Sequence, residues 1–286
     1  MSRPDRFSQV PDGRLIVCAT PIGNLGDVSE RLHDVLATAD VVFAEDTRRV
    51  AKLLSHLVIS VRVVSLFVGN ERARSDEVVE AVKSGDKVVL VSDAGMPTVS
   101  DPGAAAIRAV REAGFPVTVV PGPSAVTTAL ALSGFGGDRF VFEGFLPRRG
   151  REREERLSSI GREERTVVLF ASPNRLAADI ADLARWCGGS REVAVARELT
   201  KLHEESWVGS LASAVERWAE PVKGEVTLVL APAAPEPLSA AKAVERARAL
   251  VTGGTSVREA ARTAADETGV SRREIYETLL RDQESS

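Results

Sequence analysis

The segment from Lys87 to Gly103 constrains the fold most, because its loop cannot continue the strand before it. Val88–Val91 is an unbroken β-branched and aliphatic run, which is typical of a buried strand in a parallel sheet. The loop that follows holds two glycines, two prolines and two Ser-Asp pairs, Ser92-Asp93 and Ser100-Asp101. Ligands of open α/β sheets bind beyond the carboxyl ends of the strands. We therefore expect a ligand site here, rather than a long turn that only caps the next helix.

Strand and helix signals alternate along most of the chain, which predicts an α/β fold with parallel or mostly parallel sheets and helices on both faces. The last part carries only helical signals: three short helices, with Gly269 in the turn between the last two, resemble a helix-turn-helix unit. The predicted parts are a loose arm (1–13), two α/β domains (14–122 and 123–232), a glycine-rich hinge (134–138), a proline-rich linker (232–237) and a helical extension (239–286).

Composition limits the possible partners. The 286 residues carry a net charge of −4, so any contact with nucleic acid requires a local basic patch. Cys18 and Cys187 match no metal-binding spacing and are typical of a reducing compartment. Residues 1–13 are polar and no run approaches membrane-spanning length, so we expect a soluble, cytoplasmic protein without a signal peptide, an anchor or a metal.

Two common nucleotide-binding signatures are missing from the sequence. It contains neither GxGxxG nor GxxxxGK[ST], which argues against the usual NAD site and against P-loop phosphoryl transfer. His33, His56 and His203 show no pairing typical of a metal site.

Glu45-Asp46-Thr47-Arg48 follows a second predicted buried strand, Val41–Ala44, and should lie on the same sheet edge as Asp93. Two interpretations are open. Asp46 caps the next helix and Arg48 lies in solvent, or Glu45 or Asp46 faces the substrate as a base or hydroxyl acceptor.

Three further segments are candidates for binding. Pro121–Ala125 ends a strand, so that Ser124 and the first helical N–H groups can bind a polar ligand group. Arg197–Lys201 also ends a strand. The most basic segment contains Arg148, Arg149, Arg151 and Arg153, which favours nucleic acid. The alternative is a solvated helix start, because interspersed glutamates neutralise much of this charge.

Eight ordered motifs resemble the tetrapyrrole-methylase superfamily, two-domain S-adenosylmethionine methyltransferases with the cofactor in the interdomain cleft. The nearest resemblance is to the bacterial 16S ribosomal RNA ribose methyltransferases. The motifs are Thr20-Pro-Ile-Gly-Asn-Leu25, Glu45-Asp-Thr-Arg48, Ser92-Asp-Ala-Gly95, Asp101-Pro-Gly103, Pro121-Gly-Pro123, Glu143-Gly-Phe-Leu-Pro147, Ala196-Arg-Glu-Leu-Thr-Lys201 and Lys223-Gly-Glu225.

The resemblance implies 2′-O-methylation of a decoding-centre cytidine in 16S rRNA by a homodimeric enzyme. Glu45 or Asp46 would act as base, and Arg48, Arg197 and Lys201 would bind nearby phosphate. Residues expected to bind S-adenosylmethionine are Pro21, Asp93, Ala94, Gly95, Met96, Pro97, Ser100, Asp101, Ser124, Ala125, Gly144 and Phe145.

The sequence departs from that family's pattern at two places. Leu66–Gly69 lacks a histidine that the family usually carries, and Ala171-Ser-Pro-Asn-Arg175 replaces a Glu-Ser-Pro-His-Arg-like motif. Two alternatives therefore stay open: a methyltransferase for corrin or porphyrin precursors, and a non-catalytic RNA- or ribosome-binding relative that keeps the cofactor fold.

Overall fold

The structure, a computed structural model, describes residues 13–233 and 240–284. These residues divide into two compact units, one ending at Ala233 and the other formed by the residues after it. Nearly all of the predicted arm and most of the predicted linker lie outside the described residues. No helix in the described ranges combines the length and apolarity needed to span a membrane.

The first unit begins with a five-stranded, fully parallel sheet in the order β3-β2-β4-β1-β5. Its strands are β1 (Arg14–Cys18), β2 (Val41–Ala44), β3 (Arg62–Ser65), β4 (Lys87–Val91) and β5 (Val117–Val120). The strand β4 lies between β2 and β1 and is buried almost completely, as its β-branched run predicts. All five strands end at the same edge of the sheet.

Helices cover both faces of this sheet, because alternate residues of each strand point to opposite sides. Helices α1 and α2 pack on the face formed by Ile16, Val42 and Val89, whereas α3 and α4 pack on the face formed by Leu15 and Val88. Their bounds are α1 (Glu30–Ala37), α2 (Thr47–His56), α3 (Glu71–Lys83) and α4 (Ala104–Glu112). Ser29 caps α1, since its side chain accepts from the Leu32 N–H, while Leu25–Asp27 forms a short 3-10 helix.

A second five-stranded sheet follows, in the order β6-β7-β10-β8-β9. It is mixed: only β6 and β7 are parallel, so the expectation of a mostly parallel sheet is wrong for this part. Its strands are β6 (Phe140–Phe145), β7 (Thr166–Ala171), β8 (Glu192–Arg197), β9 (Glu205–Ser210) and β10 (Val226–Leu230). Its helices are α5 (Ala125–Ser133), α6 (Arg151–Gly161), α7 (Leu176–Cys187) and α8 (Leu211–Arg217).

The chain passes from the first sheet to the second at residues 121–124. Helix α5 already packs on the second sheet, where Val126 and Leu130 contact a cluster that includes Val168 and Val229. The glycine-rich segment 134–138 comes after this crossing and therefore does not join the two sheets.

The second unit contains three helices, as predicted: α9 (Ala240–Thr252), α10 (Val257–Thr268) and α11 (Arg272–Glu284). Ser256 caps α10 through a bond from the Glu259 N–H, and Gly269 ends that helix at a φ of 71°. Small alanine side chains and Ile275 form its own buried core. The three-residue turn between α10 and α11 is typical of a helix-turn-helix arrangement.

Candidate active site

A cavity of about 480 Å³ opens at the edge where the strands of the first sheet end. Its volume lies within the range of about 300–1,000 Å³ that is typical of small-molecule sites. Both sheets contribute to its wall. The lining residues are Ile22, Glu45, Arg49, Asp93–Met96, Val99–Asp101, Ser124, Ala125, Phe145, Phe170–Pro173 and Glu225–Thr227.

The loop after β4 forms one wall, and neighbouring strand ends hold it in place. Thr20 and Gly95 exchange backbone hydrogen bonds of 2.9 and 3.0 Å. Gly95 has a φ of 78°, and an added Cβ would lie 3.3 Å from a methyl group of Ile22, so a side chain is disfavoured there. Thr98 and Ser100 also adopt positive φ angles, 74° and 64°. Such conformations are costly for residues other than glycine and cluster at functional sites.

Carboxylates dominate the charge of the cavity. Glu45, Asp93, Asp101 and Glu225 line it, and Arg49 is the only basic residue among its described lining residues. Burial, together with the charges of Asp101 and Asp93, raises the pKa of Glu45. Burial also raises the pKa of Asp101, with further contributions from Asp93 and Glu225 and an opposing hydrogen bond from Ser92. This surplus of negative charge favours a cationic ligand.

The amino end of α5 supplies a contrasting, anion-binding corner. Ser124 occupies the N-cap position, makes no side-chain hydrogen bond to the helix and lines the cavity together with Ala125. The first N–H groups of a helix have no partner within the helix and favour a carboxylate or phosphate. The cavity therefore combines an acidic wall for a cation with a corner for an anion.

Comparison with known proteins decides the family. The family model for tetrapyrrole (corrin/porphyrin) methylases matches residues 14–215. A protein named ribosomal RNA small subunit methyltransferase I from Mycobacterium tuberculosis is 46% identical over 95% of this chain and 96% of its own. The chain belongs to the tetrapyrrole methylase family. It is accordingly a methyltransferase that uses S-adenosylmethionine.

Other family relatives carry the same name as the mycobacterial protein. The one from Synechocystis is 42% identical over 94% of this chain and 98% of its own. The one from Thermotoga maritima is 44% identical over 219 residues, which make up 98% of that protein but only 76% of this chain.

Solved structures confirm the tetrapyrrole methylase fold. The methyltransferase CobJ, 22% identical, superposes with a TM-score of 0.60 over 78% of this chain and 95% of its own. A uroporphyrin-III C-methyltransferase from Thermus thermophilus, complexed with S-adenyl homocysteine, is 19% identical. It superposes with a TM-score of 0.53 over 76% of this chain and 91% of its own.

Most residues predicted to bind the cofactor of this methylase meet at the cavity, but not all of them. Pro21, Pro97 and Gly144 lie outside its lining; Gly144 instead approaches the loop after β4, where an added Cβ would lie 3.3 Å from Oγ of Ser100. The predicted cofactor-binding residues that do line the cavity are Asp93, Ala94, Gly95, Met96, Ser100, Asp101, Ser124, Ala125 and Phe145. Glu45, predicted as a base, lines it as well.

Several lining residues were not predicted from the sequence. Arg49 lies in the first turn of α2, and Phe170–Pro173 spans the end of β7, where the segment that departs from the family pattern begins. Glu225–Thr227 begins β10, which is antiparallel to its neighbours, so that its amino end lies beside Ala171 and Arg197. A search restricted to residues that follow the carboxyl ends of strands therefore misses Glu225.

Asp46 is a helix cap, as the first interpretation of the Glu45–Arg48 motif expects, whereas Glu45 lines the cavity, as the second allows. Its carboxylate accepts from the backbone N–H and the guanidinium of Arg48, each at 2.8 Å. These hydrogen bonds lower the pKa of Asp46 to about 2. Arg48 is 87% exposed and, like Asp46, does not line the cavity. The prediction of Asp46 as base is therefore wrong, and Glu45 is the remaining candidate. Phosphate binding by the exposed Arg48 stays a prediction.

Arg197 and Lys201 are held by acidic side chains just outside the lining. Arg197 pairs with Glu205 at 3.1 Å. The Nζ atom of Lys201 bridges Glu198 and Glu225 at 2.7 and 3.0 Å, and thus contacts a cavity residue. Gly23 packs so closely against this loop that an added Cβ would lie 2.4 Å from Cγ of Lys201. Phosphate binding by Arg197 and Lys201 stays a prediction.

The prediction of RNA binding is wrong for one arginine of the basic segment. Arg148, Arg149 and Arg151 are exposed, and Arg151 pairs with Glu155 at 2.6 Å. Arg153, in contrast, is only 6% exposed and is paired with Asp179, so it cannot contact RNA from this position. Across the described ranges, no group of three or more His, Cys, Asp or Glu residues could hold a metal ion.

Proposed function

We propose that this methyltransferase transfers a methyl group to the 2′-hydroxyl of a decoding-centre cytidine in 16S rRNA. The observation that carries the proposal is the match to relatives named ribosomal RNA small subunit methyltransferase I along nearly the whole chain, at up to 46% identity. The likeness to corrin and porphyrin methyltransferases, at 17–22% identity, concerns the fold alone.

The charge pattern of the cavity fits S-adenosylmethionine. Bound there, the cofactor supplies an electrophilic methyl group on a sulfonium leaving group. Asp93 and Asp101 would face its cationic groups, and Ser124 with the first N–H groups of α5 would bind its carboxylate. Phe145 and Phe170, whose ring centres are 5.5 Å apart, provide an apolar surface for a nucleoside.

Glu45 is the proposed general base. As the ribose oxygen forms its bond to the methyl carbon and the carbon–sulfur bond breaks, the hydroxyl proton passes to the Glu45 carboxylate. A raised pKa makes that carboxylate a stronger base than an exposed one. The rest of the wall aligns the reacting groups and excludes water.

Local positive charge is the proposed means of holding RNA, since the whole chain is acidic. Arg148 and Arg149 lie exposed shortly after Phe145, which lines the cavity. Arg151, Arg197 and Lys201 are further candidates that have carboxylate partners of their own.

A homodimer in the cytoplasm is the arrangement that we propose for the enzyme.

Methyl transfer to defined substrates tests this proposal. The protein is incubated with S-adenosylmethionine carrying a labelled methyl group and with one of three substrates: undermodified small ribosomal subunits, free 16S rRNA or a tetrapyrrole precursor. Nuclease digestion and mass spectrometry then locate the label. Label at one cytidine ribose supports the proposal. Turnover of the tetrapyrrole without transfer to RNA, or cofactor binding with no transfer at all, contradicts it.

A further inference from the structure

The loop that joins β6 to α6 presents two exposed arginines while arginines from elsewhere hold its backbone. Arg148 and Arg149 are exposed within this loop, which comprises residues 146–150. The carbonyl oxygen of Pro147 accepts a 2.8 Å hydrogen bond from the guanidinium of Arg153. The carbonyl oxygen of Arg148 accepts one of 3.0 Å from Arg175. Two successive peptide groups of the loop are therefore fixed.

A buried carboxylate orients both of these guanidinium groups. Asp179 lies 2.7 Å from Arg153 and 3.6 Å from Arg175. The side chains of Arg153 and Asp179 are each only 7% exposed, and Asp182 completes the coordination of Arg153 at 2.8 Å. Burying such a network has a large desolvation cost, and it adds geometric definition rather than much stability.

Arg175 also lies on the turn that leads out of the cavity wall. The segment Ala171–Pro173 lines the cavity, and the backbone N–H of Arg175 donates to the carbonyl oxygen of Ser172 at 2.9 Å. The side chain of Arg175 thus joins the turn after β7 to the arginine-bearing loop after β6. This connection sets the position of the loop relative to the cavity.

We propose that Arg175, oriented by Asp179, is a positioning residue for RNA binding. It fixes the backbone at Arg148 so that the side chains of Arg148 and Arg149 meet the phosphates of RNA that enters the cavity. The inference rests on the proposed function and assigns a role that lies outside the cavity lining. A loop fixed before binding loses less conformational entropy when the RNA binds, which improves affinity without a new contact.

Steady-state kinetics with Arg175→Ala test the role of this residue. The Michaelis constant for undermodified small subunits should rise about fivefold to tenfold, with kcat and the dissociation constant for S-adenosylmethionine within about twofold. Arg185→Ala is the matched control, because Arg185 is on the same helix, pairs with Asp182 at 3.2 Å and makes no described contact with the loop. Its constants should equal those of the wild type. An unchanged Michaelis constant in Arg175→Ala overturns the inference.

Salt dependence separates a positioning residue from one that contacts phosphate. Arg148→Ala should reduce the slope of log affinity against log salt by about one, whereas Arg175→Ala should leave the slope unchanged. If Arg175→Ala still reduces the slope when Arg148 and Arg149 are both alanine, Arg175 itself contacts the RNA, and the inference is overturned. Arg175→Lys, which keeps the charge but lacks the planar donor group, should show the same slope with a smaller rise in the Michaelis constant.

A double-mutant cycle completes the test. Because Arg175 acts through the loop, its removal should have little further effect once Arg148 and Arg149 are both alanine. Fully additive effects contradict the inference. A failure of the proposed function looks different, since the wild-type enzyme would then transfer no methyl group to RNA.

Discussion

The backbone N–H of Asp46 donates a 2.9 Å hydrogen bond to Oδ1 of Asp93. This bond joins the ends of β2 and β4, which are neighbours in the first sheet. The second carboxylate oxygen of Asp93 lies 3.4 Å from the guanidinium of Arg49. Asp93 therefore lines the cavity and also holds the turn that carries Glu45.

Removal of the Asp93 carboxylate should weaken cofactor binding. Asp93→Ala removes both the charge and the acceptor for the Asp46 N–H, and should raise the dissociation constant for S-adenosylmethionine by at least about tenfold. Asp93→Asn keeps an acceptor and should lie between the wild type and the alanine variant. Asp40→Ala is the control, because Asp40 accepts from the backbone of Lys87 at the opposite end of β4. Calorimetric titration that finds Asp93→Ala unaltered would contradict the assignment.

Glu45→Gln should lower kcat by about a hundredfold while cofactor affinity changes by less than about threefold. The raised pKa of Glu45 means that its proton is retained to a higher pH than in an ordinary glutamate. Only the deprotonated form can accept the ribose proton, so wild-type kcat should rise with pH through that range and then level off. The kcat of the glutamine variant should not show this rise with pH. Asp46→Asn is the control: it changes only the helix cap and should keep the wild-type kcat. A wild-type kcat in Glu45→Gln would exclude Glu45 as the base.

Asp179 should be important for stability as well as for the loop. Asp179→Ala removes the more deeply buried partner of the Arg153 guanidinium, which keeps its two hydrogen bonds to Asp182, and should lower the free energy of unfolding by about 1–3 kcal/mol. Asp182→Ala should have a smaller effect, because Asp182 is more exposed and Arg153 would keep Asp179. Urea unfolding measures both values, and a loss below about 1 kcal/mol in Asp179→Ala would show that the cluster relaxes.

A chain that ends at Ala233 should bind S-adenosylmethionine with a dissociation constant within about twofold of the full chain. Every lining residue precedes this position, and the helices after it have their own core. The relative from Thermotoga maritima matches this chain over 219 residues, which make up 98% of that relative but only 76% of this chain. Calorimetry on the shortened chain checks the expectation, and loss of binding in a folded protein would contradict it.

The sequence predicted those parts of the site that depend on local patterns. Val88–Val91 is apolar throughout and is followed by a loop rich in glycine and proline, so the strand and the loop that lines the cavity can both be recognised in one short stretch. Glu45 and Ser124 follow the same rule, since each comes directly after a buried strand or at the start of a helix.

Other parts of the site depend on distant partners and were not predictable. The buried partner of Arg153 is 26 residues away, so a pattern of alternating arginines and glutamates predicted an exposed, RNA-binding side chain where the structure has a buried ion pair. The direction of β10, which brings Glu225 to the cavity, is set by its pairing with β7 and β8. Asp46 was ambiguous because a helix cap and a catalytic carboxylate occupy the same position after a strand.

The chemical position of the transferred methyl group tests the central claim most directly. Small ribosomal subunits that lack the modification are methylated by the wild-type enzyme with a labelled cofactor, and their RNA is digested to nucleosides. We expect the label in 2′-O-methylcytidine alone, together with resistance of one cytidine phosphodiester bond to alkali. Label in a methylated base, or none in the RNA of the wild-type reaction, would contradict the proposed function.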